Sequence, residues 1–323
     1  MNSEIRYGRK RNGIKKELEA KIEDWLKSID DLDTSILARR DVIVTGGSIA
    51  SMLLGERIND FDIYFKTKET TEAVAKYYVE KFNKKHAMPN AEGVDERSCI
   101  PIVRTETIKN IKGEEEDRVV IFIKSSGVAA ETDTTYQYFE MTPPERHAAE
   151  EFVDSLVKEE EEALSAGERY RPIFLSQNAI TLSGKMQIVI RFFGEPDKIH
   201  DNYDFVHAMN YYDFSQRNLV LHPEALEALL SRTLIYKGSL YPIASIFRTK
   251  KFIERGWRIT AGQLLKIMWQ ISEINLKDPA TLREQLTGVD AAYMHQLVSA
   301  LSDVDSDKIN SAYVATLIDK IFD

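Results

Sequence analysis

The chain has 323 residues, with 43 Lys and Arg against 52 Asp and Glu, and therefore a formal net charge of −9. This acidic balance excludes non-specific nucleic-acid binding by the whole surface, but it leaves room for a local basic segment. No apolar run approaches the roughly 20 residues that cross a bilayer, so we expect no membrane partner. The basic N-terminal stretch lacks the apolar core of a signal peptide, and the single cysteine, Cys99, fits a reducing compartment. We therefore expect a cytoplasmic protein with two domains, or one domain with a large insertion.

The first part of the chain alternates between helical and extended patterns. Residues 14–29 place apolar side chains on one helix face, and residues 42–44 form an apolar run typical of a buried strand. A short helix is predicted over residues 49–54, and another over residues 70–82. This order predicts an α/β (α+β) core with a short mixed sheet.

Residues 83–175 are harder to assign and are interpreted as an insertion in that core. Within them the pattern predicts a strand over residues 119–123 and an acidic helix over residues 143–164. After the insertion, residues 186–193 predict a strand, and residues 203–209 predict a second strand or strand-like segment.

The last part of the chain is predicted to be all-α. The core is expected to occupy residues 1–220, and a helical C-terminal domain residues 221–323. The predicted helices cover residues 223–230, 241–255, 260–274, 291–301 and 308–322. Trp257 and an apolar stripe are predicted to be core; the stripe comprises Leu264, Leu265, Met268, Ile271 and Ile274. Between residues 231 and 270 a single acid, Glu254, accompanies eight cations: Arg232, Lys237, Arg248, Lys250, Lys251, Arg255, Arg258 and Lys266.

One stretch combines a glycine turn with paired carboxylates. Gly46 and Gly47 follow the first strand, and Ser48 is placed near the N-cap of the next helix. Asp60 and Asp62 stand at i and i+2 of a strand, so both project from one face, which suits shared Mg²⁺ coordination. Glycines let the backbone approach phosphates closely, and the amides at a helix start can bind them.

These residues resemble a known family. Gly47-Ser48, followed after eleven residues by Asp60-Phe61-Asp62-Ile63, resembles the signature of polymerase-β-type nucleotidyltransferases. The longer stretch Gly46–Phe65 is similar to the first motif of CCA-adding enzymes and bacterial poly(A) polymerases, although Ala50-Ser51 replaces their arginine-aspartate pair. The resemblance implies two Mg²⁺ ions held by Asp60 and Asp62, with a nucleoside triphosphate (NTP) as substrate.

Two later segments resemble the same enzymes more loosely. Residues 203–209 are similar to their arginine-arginine-aspartate-phenylalanine motif, with Asn202-Tyr203 in place of the arginines. The stretch around Arg248 and Lys251 resembles the basic helix that follows the catalytic core. The resemblance implies that Arg248 and Lys251 contact the nucleotide or an RNA end. The whole chain is also similar to uncharacterised nucleotidyltransferase-like proteins of large phages.

A third carboxylate is less clearly marked. Related cores place a third acid on a neighbouring strand, and here Gln187 stands at the corresponding position, although an amide is a poor Mg²⁺ ligand. Asp204 is therefore predicted as the third catalytic and metal-binding residue. As alternatives, Asp204 caps a turn or pairs with Arg191 or His207. Without a third acid, the site would bind nucleotide without turnover.

The sequence supports two classes of function. The first is a Mg²⁺-dependent nucleotidyltransferase whose acceptor is an RNA 3′ end, such as that of tRNA, or else a protein or small-molecule hydroxyl. The second is a non-catalytic interaction or structural protein of phage type on the same fold, favoured by Gln187 and by the long insertion.

Overall fold

The computed structural model describes residues 8–86, 101–109, 113–123 and 167–278, together with residues 281 and 285. The helices predicted over residues 143–164, 291–301 and 308–322 lie outside the described residues. The described residues divide into two compact units. The first unit contains those up to residue 123 with residues 167–201 and 207–229, and the second contains residues 202–206 and those from residue 230 onward.

The helices and strands follow the chain in this order. The helices are α1 (Arg11–Lys27), α2 (Leu32–Asp41), α3 (Gly47–Leu54), α4 (Lys68–His86), α5 (Pro196–His200), α6 (Pro223–Ser231), α7 (Pro242–Glu254) and α8 (Ala261–Ser272). The strands are β1 (Val42–Thr45), β2 (Phe61–Phe65), β3 (Pro101–Lys109), β4 (Glu115–Ile123), β5 (Pro172–Leu175), β6 (Ala179–Leu182), β7 (Met186–Phe193), β8 (Tyr211–Asp213), β9 (Asn218–Val220), β10 (Thr233–Leu234) and β11 (Arg258–Ile259).

The first unit is built on a mixed sheet, as predicted. Its seven strands lie in the order β5-β6-β7-β2-β1-β8-β9. The pair β2 and β7 is parallel, and the other neighbours are antiparallel. In the region interpreted as an insertion, β3 and β4 form a separate antiparallel pair that includes the predicted strand at residues 119–123.

Helices α1 and α4 cover one face of this sheet. Trp25 of α1 lies against Phe65 of β2, with ring centroids 6.3 Å apart, and its Nε1 donates to Tyr78 Oη of α4 at 2.8 Å. All three side chains are almost fully buried. Because side chains alternate along a strand, Asp62 projects from the face opposite Phe65 and this helical cover.

The prediction of a strand over residues 203–209 is wrong. This segment forms a single bridge, between Phe205 and Tyr236, followed by a 3₁₀ turn at Val206–Ala208. Phe205, Val206 and His207 are all buried. In a strand with one face in solvent, successive side chains would alternate between buried and exposed. The next strand is β8, which pairs with β1.

The second unit also differs from its prediction in two respects. Its described part contains the short parallel pair β10 and β11 in addition to helices, so it is not exclusively α-helical. Trp257 is buried as predicted. The stripe on α8, however, is not core, since Leu264, Leu265 and Met268 are 41%, 59% and 63% exposed. Among the described helices, none is long and apolar enough to span a bilayer.

A largely buried ion pair connects the end of β2 to β8 in the first unit. Lys66 Nζ lies 2.6 Å from Asp213 Oδ2, and Ser215 Oγ and the Gln216 amide donate to the other carboxylate oxygen. Burial opposes the ionisation of Asp213, but the hydrogen bonds from these three residues outweigh it and hold its pKa below the ordinary value. The charged carboxylate is therefore a stabilising part of the fold.

We expect Asp213→Asn to lower the free energy of unfolding by about 3 kcal/mol near neutral pH, because the largely buried Lys66 then loses its counter-charge. A carboxylate with a lowered folded pKa stabilises above the unfolded pKa of about 4, and its contribution is lost as the pH falls through the folded value. Urea unfolding at about pH 7 and about pH 3 should show the gap between wild type and variant shrinking in acid. A gap that does not change with pH would contradict this assignment.

Candidate active site

The site is built at the junction between β1 and α3. Strand β1 ends at Thr45, and Gly46 then adopts φ +96° and ψ −153°, a backbone conformation open essentially to glycine alone. The Gly46 amide donates to the carbonyl oxygen of Ala208 at 3.1 Å. Helix α3 begins at Gly47, so Ser48 lies inside its first turn, and the helix is capped by Gly46 rather than by Ser48.

The Gly46 turn lies directly against the carboxylate of Asp62. A Cβ atom placed on Gly46 would be 2.6 Å from Asp62 Oδ2, closer than real Cβ contacts come. At Gly47 the corresponding position meets nothing within 4 Å. Position 46 therefore requires a glycine, because a side chain there would collide with Asp62. Position 47 does not, because it faces open space at the start of α3.

Asp62 occupies the middle of a row of polar side chains across the sheet. In the strand register it pairs with Thr45 of β1 on one side and Gln187 of β7 on the other. Because paired residues share a face, the three side chains project together. The structure thus places Gln187 on the strand next to β2, at the position that the resemblance gives to a third acid.

Asp60 precedes β2 and is half-buried, as is Asp62, and the buried Phe61 stands between them. Their i and i+2 spacing is the one that the sequence indicated for a shared face. Within the part of the chain that the structure describes, no group of three or more His, Cys, Asp or Glu side chains is arranged to hold a metal ion. Of the three acids predicted to bind metal, Asp60 and Asp62 lie in the first unit and Asp204 lies in the second.

Ser48 supplies a second polar feature beside the turn. Its residue is 2% exposed, and its hydroxyl has no hydrogen-bond partner among the described residues. A buried hydroxyl without a partner is costly unless something satisfies it. It lies in the first turn of α3, where backbone amides also lack helical partners, so the combination suits a phosphate oxygen.

A buried histidine, His200, contacts the last residue of β1, directly before the turn. This contact was not predicted from the sequence. Thr45 Oγ1 lies 2.8 Å from Nε2 of His200 and 3.1 Å from the carbonyl oxygen of Asn210. The same hydroxyl is 3.3 Å from the Ala208 carbonyl that anchors Gly46. Both Thr45 and His200 are fully buried. No sequence signal marked the pair, because 155 residues separate them.

The remaining predicted site residues belong to the second unit. Asp204 Oδ2 accepts a hydrogen bond from Nη1 of Arg248 at 2.6 Å, so its observed partner is neither Arg191 nor His207. Lys251 is exposed on α7. Two residues predicted to act in the site are thus paired with each other. The roles of Asp204 in metal binding and of Arg248 and Lys251 in nucleotide binding remain predictions.

The glycine pair offers a matched test of the turn. We expect Gly46→Ala to lower the free energy of unfolding by about 1–3 kcal/mol through backbone strain alone, and to displace Asp62 as well. Gly47→Ala, at an open helical position, should leave stability unchanged or slightly higher. Urea unfolding of both variants checks this, and equal losses would show that the Gly46 contact with Asp62 is not tight.

Comparison with known proteins identifies a relative and a family. A protein called "Gabija anti-defense 2", from Bacillus phage SPbetaL7, is 23% identical over 107 residues. That match covers 32% of this chain but only 27% of the phage protein. The family model matches residues 16–232, a range that contains β1, α3, β2 and β7.

Among solved structures, similarity extends to CCA-adding enzymes. The Thermotoga maritima enzyme complexed with tRNA gives a TM-score of 0.37 at 13% identity, and a CCA-adding enzyme with CTP gives 0.36 at 14%. Each match covers 87% of this chain and about half of the enzyme, 53% and 54% respectively. TM-scores below 0.5 do not establish a common fold. The family match, which spans about two thirds of the chain, shows that this protein belongs to the Gabija anti-defense 2 family.

Proposed function

We propose that this protein is a Mg²⁺-dependent nucleotidyltransferase that moves a nucleotidyl group from an NTP to an acceptor, with Asp60 and Asp62 as its metal ligands. The observation that carries the proposal is the close packing of the Asp62 carboxylate against the Gly46 turn, at the start of α3. This arrangement brings a carboxylate, which suits Mg²⁺, beside a helix N-terminus, which suits phosphate.

The donor set fits magnesium. Asp60 and Asp62 offer hard carboxylate oxygens, and Mg²⁺ is usually held by one or two protein carboxylates with substrate phosphates and water completing its shell. Bound Mg²⁺ would neutralise negative charge on the triphosphate. It would also help the attacking hydroxyl to lose its proton at neutral pH. Gln187 beside Asp62 adds a neutral amide to this set, not a third charge.

The other residues of the site would bind and orient the triphosphate. The amides in the first turn of α3 and the Ser48 hydroxyl would donate to phosphate oxygens, and this would satisfy a buried hydroxyl. Gly46 lets the backbone of the turn approach the Asp62 carboxylate, because any side chain at position 46 would collide with it. The buried bond between Thr45 and His200 would keep the turn in register while substrate enters.

For the acceptor we propose an RNA 3′ end. Lys250, Lys251, Arg255 and Arg258 are exposed in the second unit, and clustered cations are the usual means of binding phosphate backbones. A protein or small-molecule hydroxyl is the alternative, favoured by the net charge of −9. We further propose that the activity serves to counter a host defence in the cytoplasm of an infected cell, as the name of the phage relative indicates for that protein.

Transfer is tested by incubating the protein with Mg²⁺ and each α-labelled NTP, with total tRNA, a protein lysate or no acceptor. We expect label in the RNA fraction, and a loss of at least about 100-fold in Asp62→Asn, because removing one carboxylate charge removes a metal ligand. Asp60→Asn should behave in the same way.

Glu80→Gln is a suitable control for these variants, since Glu80 is an exposed residue of α4 and the substitution likewise replaces one carboxylate by an amide. Its activity should match that of the wild type. Label in the protein fraction would support nucleotidyl transfer but would identify a protein, and not RNA, as the acceptor. Folded wild-type protein that labels nothing, or full activity in Asp62→Asn, would refute the proposed catalysis at this site.

A second candidate function is a non-catalytic binding protein on the same site. The observation that favours it is Gln187 next to Asp62, where a third acid would strengthen metal binding. Such a protein would bind Mg²⁺ and nucleotide without turnover, and would act through its surface instead.

Gln187→Glu separates the two candidates. The added carboxylate beside Asp62 should tighten Mg²⁺ binding on the order of tenfold, equivalent to about 1.4 kcal/mol. Titration of Mg²⁺ against a bound nucleotide analogue measures the change. An inactive wild type with a transferring Gln187→Glu variant would establish the second candidate and identify its cause. Unchanged Mg²⁺ affinity would show that the metal does not lie next to Asp62.

A further inference from the structure

The outer face of α8 exposes a contiguous set of large apolar side chains. Leu264, Leu265, Met268 and Trp269 are 41%, 59%, 63% and 66% exposed. Single exposed apolar residues are ordinary, but four on one three-turn helix form a patch on the order of 500 Å², a size that is often functional. We call these four residues the α8 stripe.

The helix cannot turn this stripe inward, because its opposite face is anchored. Gln263 Oε1 accepts the backbone amide of Tyr236 at 2.8 Å. Gln270 accepts the amide of Ser239 at 3.2 Å and donates to its carbonyl oxygen at 2.6 Å. Between the two glutamines, Ile267 is buried. The amphipathic order is thus reversed, with amides packed inside and leucine, methionine and tryptophan outside.

The spacing of the outward positions is that of a helix-pairing seam. Ala261, Leu265, Met268 and Ser272 follow one another at intervals of four, three and four residues, which is the repeat of a two-helix contact. Trp269 Nε1 donates to Glu273 Oε1 at 3.1 Å, so the polar atom of its ring is satisfied within the helix. The exposed part of the ring is therefore available for apolar packing.

We propose that the α8 stripe is the interface of a homodimer, in which α8 of two copies pack antiparallel about a two-fold axis. The seam is complementary to itself in this arrangement. With the axis between Leu265 and Met268, these two residues lie level with each other across the interface, and Ala261 lies level with Ser272. Large side chains at the centre face large ones, and small ends face small ends, as an isologous contact requires.

The small extent of the stripe indicates a weak contact. Two such patches bury about 1,000 Å² together, just below the roughly 1,200 Å² at which specific, stable interfaces begin. The dimer should therefore be reversible, with a dissociation constant in the micromolar range. This inference is independent of the proposed catalysis, because none of its residues belongs to the Gly46 and Asp62 site.

Sedimentation velocity of the full chain, from about 1 to about 100 µM, tests the interface over the relevant range. We expect a shift from the 37.0 kDa monomer to twice that mass as concentration rises. Leu265→Glu should remain monomeric at every concentration, because it places two carboxylates in the apolar centre of the dimer. Lys266→Gln changes the net charge by the same single unit outside the stripe and should dimerise like the wild type.

Circular dichroism melting shows whether each variant is folded, and Met268→Lys replaces Leu265→Glu should the latter fail to fold. A wild type that stays monomeric at all concentrations would overturn the proposal, including the case in which other residues of the same chain cover the stripe. Dimers that persist in both stripe variants would place the interface elsewhere and overturn it equally. Loss of dimerisation in Lys266→Gln alone would also contradict it.

Discussion

The candidate site depends on one close approach, that of the Gly46 backbone to the Asp62 carboxylate. The turn uses a conformation that only glycine adopts readily, and it leaves no room for a Cβ atom beside Oδ2. Because the same turn starts α3, the carboxylate lies beside the helix N-terminus without any long side chain reaching across the sheet. A shift in the register between β1 and β2 would separate them.

The surrounding fold holds this approach in register. Strand β1 is paired on both sides, with β2 and β8, and its last residue, Thr45, is fixed by His200 and by two backbone carbonyls. On the far face, Trp25 and Tyr78 pack against β2. The position of Asp62 is thus determined by contacts made over long sequence separations, which is the preorganisation that a metal or phosphate site requires.

The sequence predicted what local patterns encode. Hydrophobic periodicity and glycine breaks predicted the strands β1, β2 and β7 and the helices α1, α3, α4, α6 and α7. The order of these elements predicted the mixed sheet. The failures arose where tertiary contacts overrode the pattern. Residues 203–209 look extended, but Phe205, Val206 and His207 within them are buried consecutively. Helix α8 looks amphipathic, although most of its large apolar side chains face outward. The bond between Thr45 and His200 had no local signal of any kind.

Gln187 shows how far the site itself could be inferred. The sequence located it correctly on the strand next to β2, yet only the register reveals that it lies level with Asp62. An amide at that point keeps the shape of a third acid but removes its charge, so in the proposed metal site the negative charge would come from Asp60, Asp62 and the phosphates of the ligand. Metal and nucleotide would then bind as one unit, because neither the two carboxylates nor the helix amides alone supply a complete shell. Such coupling is compatible with catalysis and with binding alone, and it makes the charge at position 187 the physical quantity that distinguishes them.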